Sequence, residues 1–394
     1  MRTRLLRFRP FRVHTLTAGL VALLLGACGG GSGDQAGVGT GGTGTIASGP
    51  ISGFGSVIVA GVHFDDTNAR VSDEDGTPRQ RQDLKLGMVA AITGSADFAA
   101  ASGVAATIRY GSEALGPVTA LDLSAGSLTV LGAHFRVKAT TLFDEGLAGL
   151  GALKVGDLVE VYGFYNAASG SFTATRIEAP PSALRYRLRG PVTGLDEGAR
   201  RFTLAGVSID YAGIPAGALP PLGNGLLLRA SSSRPPAGGV WRVEALTPAQ
   251  RTVLAEGETR VVSDISALTS ATSFVLDGVP VDAAAATIHG SLAVGVRVEV
   301  EGSVRQGILV AKEVEVSDGD ASSGQDFDLT DKIQDFDAAS LRFRLRGQRV
   351  DAAGPVIYTG GSRADLANGR RIELKGYYDA VSGAVVATRI EFEN

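Results

Sequence analysis

The sequence predicts an all-β protein of five tandem OB-like barrels, each five-stranded and about 70 residues long, behind a signal peptide and a glycine-rich tether. A Leu-x-x-Gly phrase recurs five times, and its glycines are 69, 69, 70 and 74 residues apart. Each recurrence leads into an alternating apolar run, which is the pattern of a half-buried strand. Abundant turn glycines between short runs favour small barrels, whose closure removes sheet edges.

The first 27 residues have the layout of a signal peptide that is cut before a lipidated cysteine. Five arginines and no acid precede an apolar stretch that is too short to span a bilayer, which takes about 20 apolar residues. Leu25, Gly26 and Ala27 stand directly before Cys28, the single cysteine, as in a lipobox. The alternative is an ordinary secreted protein, but its unpaired thiol would be reactive in an oxidising compartment. We therefore predict cleavage before Cys28 and anchoring by several acyl chains, because one chain binds membranes only marginally.

Residues 28–48 are predicted to form a flexible tether. Glycine occupies 10 of the 21 positions from 29 to 49, so almost nothing apolar is present to bury. The tether has a root-mean-square span of roughly 25 Å.

Charge narrows the class of partner. Without the five leader arginines the chain has 32 basic and 41 acidic residues, a net charge of −9. This balance argues against nucleic acid as a partner, because such binding depends on neutralising phosphates with Lys and Arg. It also disfavours adsorption to anionic lipid, so the expected membrane contact is the N-terminal lipid itself.

The predicted repeats cover residues 49–113, 114–184, 185–250, 251–320 and 321–394. In the second repeat, residues 127–131 and 134–138 are short strands around the turn at Gly132. A short helical turn is expected within residues 143–153, before two further alternating strands. The main alternative is a β-sandwich assembled across repeats. The sequence leaves open whether the repeats pack together or hang as separate beads.

The glycine of each Leu-x-x-Gly phrase is predicted to turn the chain tightly into the fourth strand with positive φ. These glycines are Gly87, Gly156, Gly225, Gly295 and Gly369.

The run Gly53-Phe54-Gly55-Ser56-Val57-Ile58-Val59-Ala60-Gly61-Val62-His63-Phe64-Asp65, with residues 84–89, resembles bacterial lipoproteins built from a tandem uncharacterised domain, the domain-of-unknown-function family 5666. Residues 153–178 resemble the same domain. The first two repeats match well, the fourth and fifth moderately, and the third in outline. The resemblance implies a cell-envelope protein with small β domains, and it supplies no catalytic residues to transfer.

No metal or other cofactor is predicted. His63 and His134 occupy equivalent positions beside apolar strand residues, so both are expected on the solvent face. Asp65 and Asp66 could assist the first histidine, but Arg136 replaces an acid at the second. The acidic run of residues 73–76 is read as a charged loop. Residues 318–322 begin like a calcium loop, but the match then fails at Ser323 and Leu329.

No nucleophile motif, phosphate-binding loop or free thiol is found, although converging carboxylates need only spatial proximity. Two strands alternate arginine with apolar residues, which places the arginines on one face. That face is either solvated or a docking stripe for an anionic envelope polymer or an acidic partner. The stripe residues are Arg185, Arg187, Arg189, Arg342, Arg344 and Arg346.

The favoured function is a non-enzymatic binding or scaffold protein anchored by lipid in the cell envelope, since one small domain is repeated without a catalytic constellation. The alternatives are a periplasmic sensor of a small ligand or metal and, with less support, a glycan-active enzyme. Gly29 rather than Asp after the cysteine favours the outer membrane, facing the periplasm or the cell surface. The identity of the ligand or partner and the oligomeric state do not follow from the sequence.

Overall fold

Short alternating runs fold into rings of strands in the computed structural model, which describes residues 45–251, 256–317, 326–379 and 381–393. In barrel 1, residues 45–110, the strands are β1 (Thr45–Phe54), β2 (Val57–Val59), β3 (Val62–Asp65), β4 (Arg70–Asp73), β5 (Pro78–Arg79), β6 (Val89–Asp97) and β7 (Ser102–Tyr110). β1 pairs antiparallel with β2 and β6, while β3 and β4, two pieces of one strand, run parallel to β7. With the β2–β3 and β6–β7 pairs the ring closes, in the strand order of an OB-type barrel.

Barrel 2, residues 114–178, repeats this order with five uninterrupted strands. They are β8 (Ala114–Asp122), β9 (Ser127–Val130), β10 (Ala133–Phe143), β11 (Leu158–Asn166) and β12 (Ser171–Glu178). β10 and β12 pair in parallel, and β11 returns to β8 to close the ring. The predicted helical turn is a single 3-10 turn at Leu150–Ala152.

Barrel 3, residues 186–248, is the most irregular. Its strands are β13 (Tyr186–Asp196), β14 (Arg201–Leu204), β15 (Val207–Asp210), β16 (Leu227–Ser232), β17 (Val240–Arg242) and β18 (Ala245–Pro248). The fifth strand is split, because β17 pairs with β15 whereas β18 pairs with β16.

Barrel 4, residues 257–317, contains β19 (Gly257–Ser270), β20 (Ser273–Leu276), β21 (Val279–Asp282), β22 (Thr287–His289), β23 (Arg297–Arg305) and β24 (Ile308–Ser317). Barrel 5, residues 326–392, contains β25 (Asp326–Lys332), β26 (Gln334–Asp337), β27 (Arg342–Leu345), β28 (Gln348–Asp351), β29 (Ile357–Thr359), β30 (Arg371–Asp379) and β31 (Ala384–Phe392). Both rings close through a parallel pairing of the third strand with the fifth.

The Leu-x-x-Gly turn has one geometry at all five positions. The φ angles of its glycines are 80°, 96°, 87°, 83° and 81° in chain order, as predicted. In barrels 1 to 4 the glycine N–H donates to a carbonyl in the first strand of its own barrel; in barrel 2, Gly156 donates to Val118 at 2.8 Å. The Val118 N–H in turn donates to the carbonyl of Asp157 at 2.8 Å. In barrel 5, Gly369 donates to Ile333, the residue directly after β25. The repeated glycine therefore fastens the entry of the fourth strand to the first strand.

The barrels pair with one another through their first strands. β1 lies parallel to β19 of barrel 4 and to β25 of barrel 5, and β8 lies antiparallel to β13 of barrel 3. At the contact with barrel 5, a Cβ on Gly53 would lie 2.3 Å from the carbonyl oxygen of Asp328, so only glycine allows this approach.

The apolar cores follow the same grouping. Side chains of barrels 1 and 5 form one buried cluster, which Leu142 and Tyr162 of barrel 2 join. Barrels 2 and 3 share a second cluster, and barrel 4 has its own. The described barrels thus pack together, which the sequence left open. The fold class of small closed five-stranded barrels is confirmed; the predicted repeat boundaries and the number of domain copies stay predictions.

Candidate functional site

Barrel 3 and the chain directly after it bring three arginines into the protein interior, where four barrels meet. Arg189 lies on β13, Arg229 on β16 and Arg251 just after β18. Arg189 and Arg229 stand directly opposite each other across the strand pair. Two like charges in this position destabilise a sheet unless they are compensated. We call these three residues, with the carboxylates described next, the buried arginine cluster.

The compensating carboxylates come from the other three barrels. Glu113, directly before β8 of barrel 2, lies 3.2 Å from Arg189, and neither side chain is exposed to solvent. Asp277, at the tip of a hairpin in barrel 4, contacts the same guanidinium at 2.8 Å. Glu74, from the acidic run of barrel 1, contacts both Arg229 and Arg251.

In the buried arginine cluster the three guanidinium groups face Glu74, Glu113 and Asp277. Arg229 also pairs at 3.1 Å with the exposed Asp75, which Arg187 shares. Burial and the neighbouring Arg251 lower the pKa of Arg229 to about 10. Buried pairs of this kind contribute little net stability when complete, but removing one partner strongly lowers the free energy of unfolding. The cluster therefore disfavours any packing of the barrels that would separate one of these arginines from its carboxylate.

A second polar junction joins barrels 1, 2 and 5. Lys85 of barrel 1 lies 3.0 Å from Asp144 and 3.1 Å from Glu178, both in barrel 2. Arg176 pairs with the same two carboxylates and also donates to the carbonyl of Leu86 in barrel 1. These bonds hold the walls of a cavity between the three barrels.

That cavity, the three-barrel cleft, has a volume of about 190 Å³. Its lining comprises Phe54, Gln82, Lys85, Leu86, Phe143, Asp144, Glu145, Arg176, Arg346, Gly347, Gln348, Arg349 and Gly383. Arg346 stacks over Phe54, with 4.5 Å between the guanidinium carbon and the ring centre, and its Nη2 donates to the carbonyl of Arg81 at 2.9 Å. Arg349 donates to the carbonyl of Gly383 at 3.2 Å. The cleft is thus lined by four cations and two carboxylates.

The first predicted arginine stripe does not face solvent as a whole. Arg185 is exposed and pairs with Glu244 at 3.1 Å, whereas Arg187 is half-buried between Asp75 and Glu160. Arg189 is fully buried, so it cannot contact a polymer, and the prediction of an outward stripe is wrong at this residue. Arginines and apolar residues do alternate between the two faces of the strand. At Arg189, however, other barrels cover the outer face of barrel 3.

The second predicted stripe is also divided. Arg342 is exposed and pairs with Asp351 at 3.0 Å. Arg344 contacts Asp335 at 3.1 Å and also Glu145 of barrel 2. Arg346 lines the three-barrel cleft. Docking of an envelope polymer stays a prediction, for which Arg185 and Arg342 are the most exposed of the six residues.

Both histidines considered as metal ligands lie on the solvent face, as predicted. His63 contacts Ser56 at 3.5 Å and His134 contacts Thr129 at 3.2 Å. Asp66 pairs instead with Arg81 at 2.6 Å. Within the described ranges, no group of His, Cys, Asp and Glu side chains has the arrangement of a metal site.

The acidic run of barrel 1 is a turn between β4 and β5, in which Asp73 and Glu74 are buried and Asp75 is exposed. Asp73 accepts hydrogen bonds from the backbone of Asp75 and Thr77 and from Arg79, while Glu74 enters the buried arginine cluster. The other acidic run, residues 318–322, lies outside the described residues, as do Leu25, Gly26, Ala27 and Cys28. Among the described residues, no helix has the length and apolarity to cross a bilayer.

Three segments of the chain match the family model described as Domain of unknown function (DUF5666): residues 116–178, 261–315 and 332–391. They fall within barrels 2, 4 and 5. Barrel 1, whose sequence predicted the resemblance, is not among the matched segments, although its strands close in the same order. No curated protein matches the chain.

Proposed function

From the premise that the chain carries tandem copies of the DUF5666 domain, we propose a lipid-anchored protein of the bacterial cell envelope with a non-enzymatic binding or scaffold role. Cys28 carries the lipid and the packed barrels form the body. The tether is shorter than the 28–48 that the sequence predicts, because β1 of barrel 1 already begins at Thr45. The observation that supports the anchor is the sequence Leu25-Gly26-Ala27-Cys28 at the end of an apolar stretch.

The binding or scaffold role is supported by how the barrels are joined. Residues from four barrels meet in the buried arginine cluster, and first strands pair between barrels. Such joints give a rigid body with fixed relative positions of its surfaces, which suits the presentation of several contact surfaces at once. The glycine tether would let that body stand off the membrane. We place the body on the outer membrane.

The anchor is tested by labelling with an alkyne fatty acid in a bacterial host. The wild type and the tether control Ser32→Ala are expected to incorporate label and to stay in membranes after a carbonate wash. Cys28→Ala is expected to lose the label and to be released as folded protein. Membrane retention of Cys28→Ala after the wash would overturn the anchor.

The binding role is tested separately by quantitative mass spectrometry of material cross-linked to the wild type in intact membranes. An unrelated lipoprotein on the same tether is the control. An envelope component enriched only with the wild type is expected. Turnover of envelope glycan by the purified protein would contradict the non-enzymatic role.

A further inference from the structure

We propose that the three-barrel cleft binds a small oxyanion, a molecule carrying a carboxylate or phosphate group, between Arg346 and Arg349. This inference rests on the proposed binding role and names its ligand chemistry. It does not depend on the lipid anchor.

The two arginines differ from their strand neighbours in having no carboxylate partner. Arg342 pairs with Asp351 at 3.0 Å, and Arg344 pairs with Asp335 at 3.1 Å. Among the ion pairs of the described residues, Arg346 and Arg349 do not occur; their guanidinium groups donate only to the carbonyls of Arg81 and Gly383. Both therefore keep donors and a full charge for a ligand.

Keeping these charges uncompensated is unfavourable for the fold. Arg349 stands directly opposite Arg344 across the β27–β28 pair, an arrangement of like charges that destabilises a hairpin. Burial lowers the pKa of Arg346, although the carboxylates of Asp66 and Asp331 oppose that shift. An anion held between Arg346 and Arg349 would give both guanidinium groups the ion-pair partner that Arg344 already has in Asp335 and Glu145.

The carboxylates of the cleft do not oppose such a ligand. Asp144 lies 3.0 Å from both Lys85 and Arg176, and these two cations together balance the charges of Asp144 and Glu178. Glu145, the other carboxylate of the cleft, forms an ion pair with Arg344 of barrel 5. With these pairs satisfied, Arg346 and Arg349 leave a net positive cleft in a chain whose formal net charge is −4.

Size restricts the ligand to a small molecule. The cavity of about 190 Å³ is smaller than the roughly 300–1,000 Å³ of sites that hold drug-sized ligands. Phe54 and Phe143 supply apolar contact, and Gln82 adds an amide. A guanidinium group presents parallel N–H donors that match the two oxygens of a carboxylate or phosphate.

The test is isothermal titration calorimetry on the full lipidated chain in non-ionic detergent at low ionic strength. The probes are citrate and inorganic phosphate, with glucose as the neutral control. We expect saturable binding of citrate, phosphate or both, and no heat with glucose. Arg349→Gln should weaken binding at least tenfold, since the Arg349 guanidinium donates a single hydrogen bond within the protein and keeps its other donors for the ligand. Arg342→Gln, on the same hairpin but paired with Asp351, should leave the affinity unchanged.

Binding of phosphate alone identifies a phosphate ligand, and binding of citrate alone identifies a carboxylate ligand. The proposal is overturned if neither anion binds, if Arg349→Gln binds within twofold of the wild type, or if Arg342→Gln weakens binding equally. Melting curves check that both variants remain folded. Fatty-acid labelling of the same preparations reports on the anchor independently.

Discussion

Arg189 of barrel 3 and Glu113, directly before β8 of barrel 2, form an ion pair of 3.2 Å in which neither side chain is exposed to solvent. An ion pair is stable in a protein interior only when its geometry and its further hydrogen bonds compensate for lost hydration. Here the Arg189 Nε donates to the carbonyl of Ala249 at 2.7 Å, and Asp277 of barrel 4 takes a further contact. The charges of barrel 3 are thus satisfied only in the assembled body.

The first prediction concerns Glu113→Gln, which leaves Arg189 and Arg251 short of one carboxylate. Breaking a buried pair by removing one partner costs about 3–5 kcal/mol, so the free energy of unfolding should fall by that order. Denaturant titration measures it. The control Arg342→Gln breaks an exposed pair, which is worth about 0–1 kcal/mol. A loss below about 1 kcal/mol for Glu113→Gln would mean that the pair is not buried as described.

The second prediction separates two kinds of glycine in barrel 2. A Cβ on Gly163 would lie 2.2 Å from the carbonyl oxygen of Thr173, so Gly163→Ala requires a backbone shift. Gly156 has φ +96° but open space around it, so Gly156→Ala meets only the left-handed penalty of about 1–2 kcal/mol.

Urea unfolding should therefore rank Gly163→Ala as more destabilising than Gly156→Ala. Gly151→Ala, with neither positive φ nor a close neighbour, is the control and should cause no loss. The reverse ranking of Gly163→Ala and Gly156→Ala would contradict the close approach of β11 and β12.

The third prediction concerns pH. Burial raises the pKa of Glu160 above its usual 4.5, against the opposing effect of Arg187 and of the hydrogen bond from Ser112. The folded state therefore holds this proton more tightly than the unfolded state, and stability falls as pH rises from 4.5 through the raised pKa. Glu160→Gln should flatten that decline in unfolding free energies measured from pH 4.5 to 8.

Glu244 is the control, because its pKa is shifted in the opposite direction to that of Glu160. Its hydrogen bond from Ser233 lowers its pKa, so its contribution is present above pH 4.5 and is lost as pH falls through the lowered pKa. Glu244→Gln should leave the slope above pH 4.5 unchanged. An identical effect of both substitutions would argue against a buried Glu160.

Local patterns in the sequence predict the fold because its turns and strands depend on near neighbours. The positive φ of Gly156 follows from the tight turn, and the strands around Gly132 follow from alternation and turn chemistry. The burial of Arg189 does not follow from such local patterns. Alternation places its side chain on the outer face of its barrel, but not whether another barrel covers that face.

The partners of the buried arginines are distant in sequence. Glu113 lies 76 residues from Arg189, and Glu74 lies 177 residues from Arg251. Neither acid belongs to a repeated motif, so no periodic signal connects it to an arginine. A glycine in the fourth strand is a sequence signal for close packing of the fourth strand against the fifth. The glycines that approach a carbonyl of the fifth strand in this way are Gly94, Gly163, Gly302 and Gly376.

The most direct test of the account is small-angle X-ray scattering on the full Cys28→Ala chain after removal of its leader. If the barrels form one packed body, the radius of gyration should be about 20 Å, the value for a compact domain of this length, with a small addition from the tether. Glu113→Gln at low denaturant should raise it. A radius roughly half as large again for the undisturbed protein would show separate barrels on a string, and would contradict the packed body on which the cluster and the cleft depend.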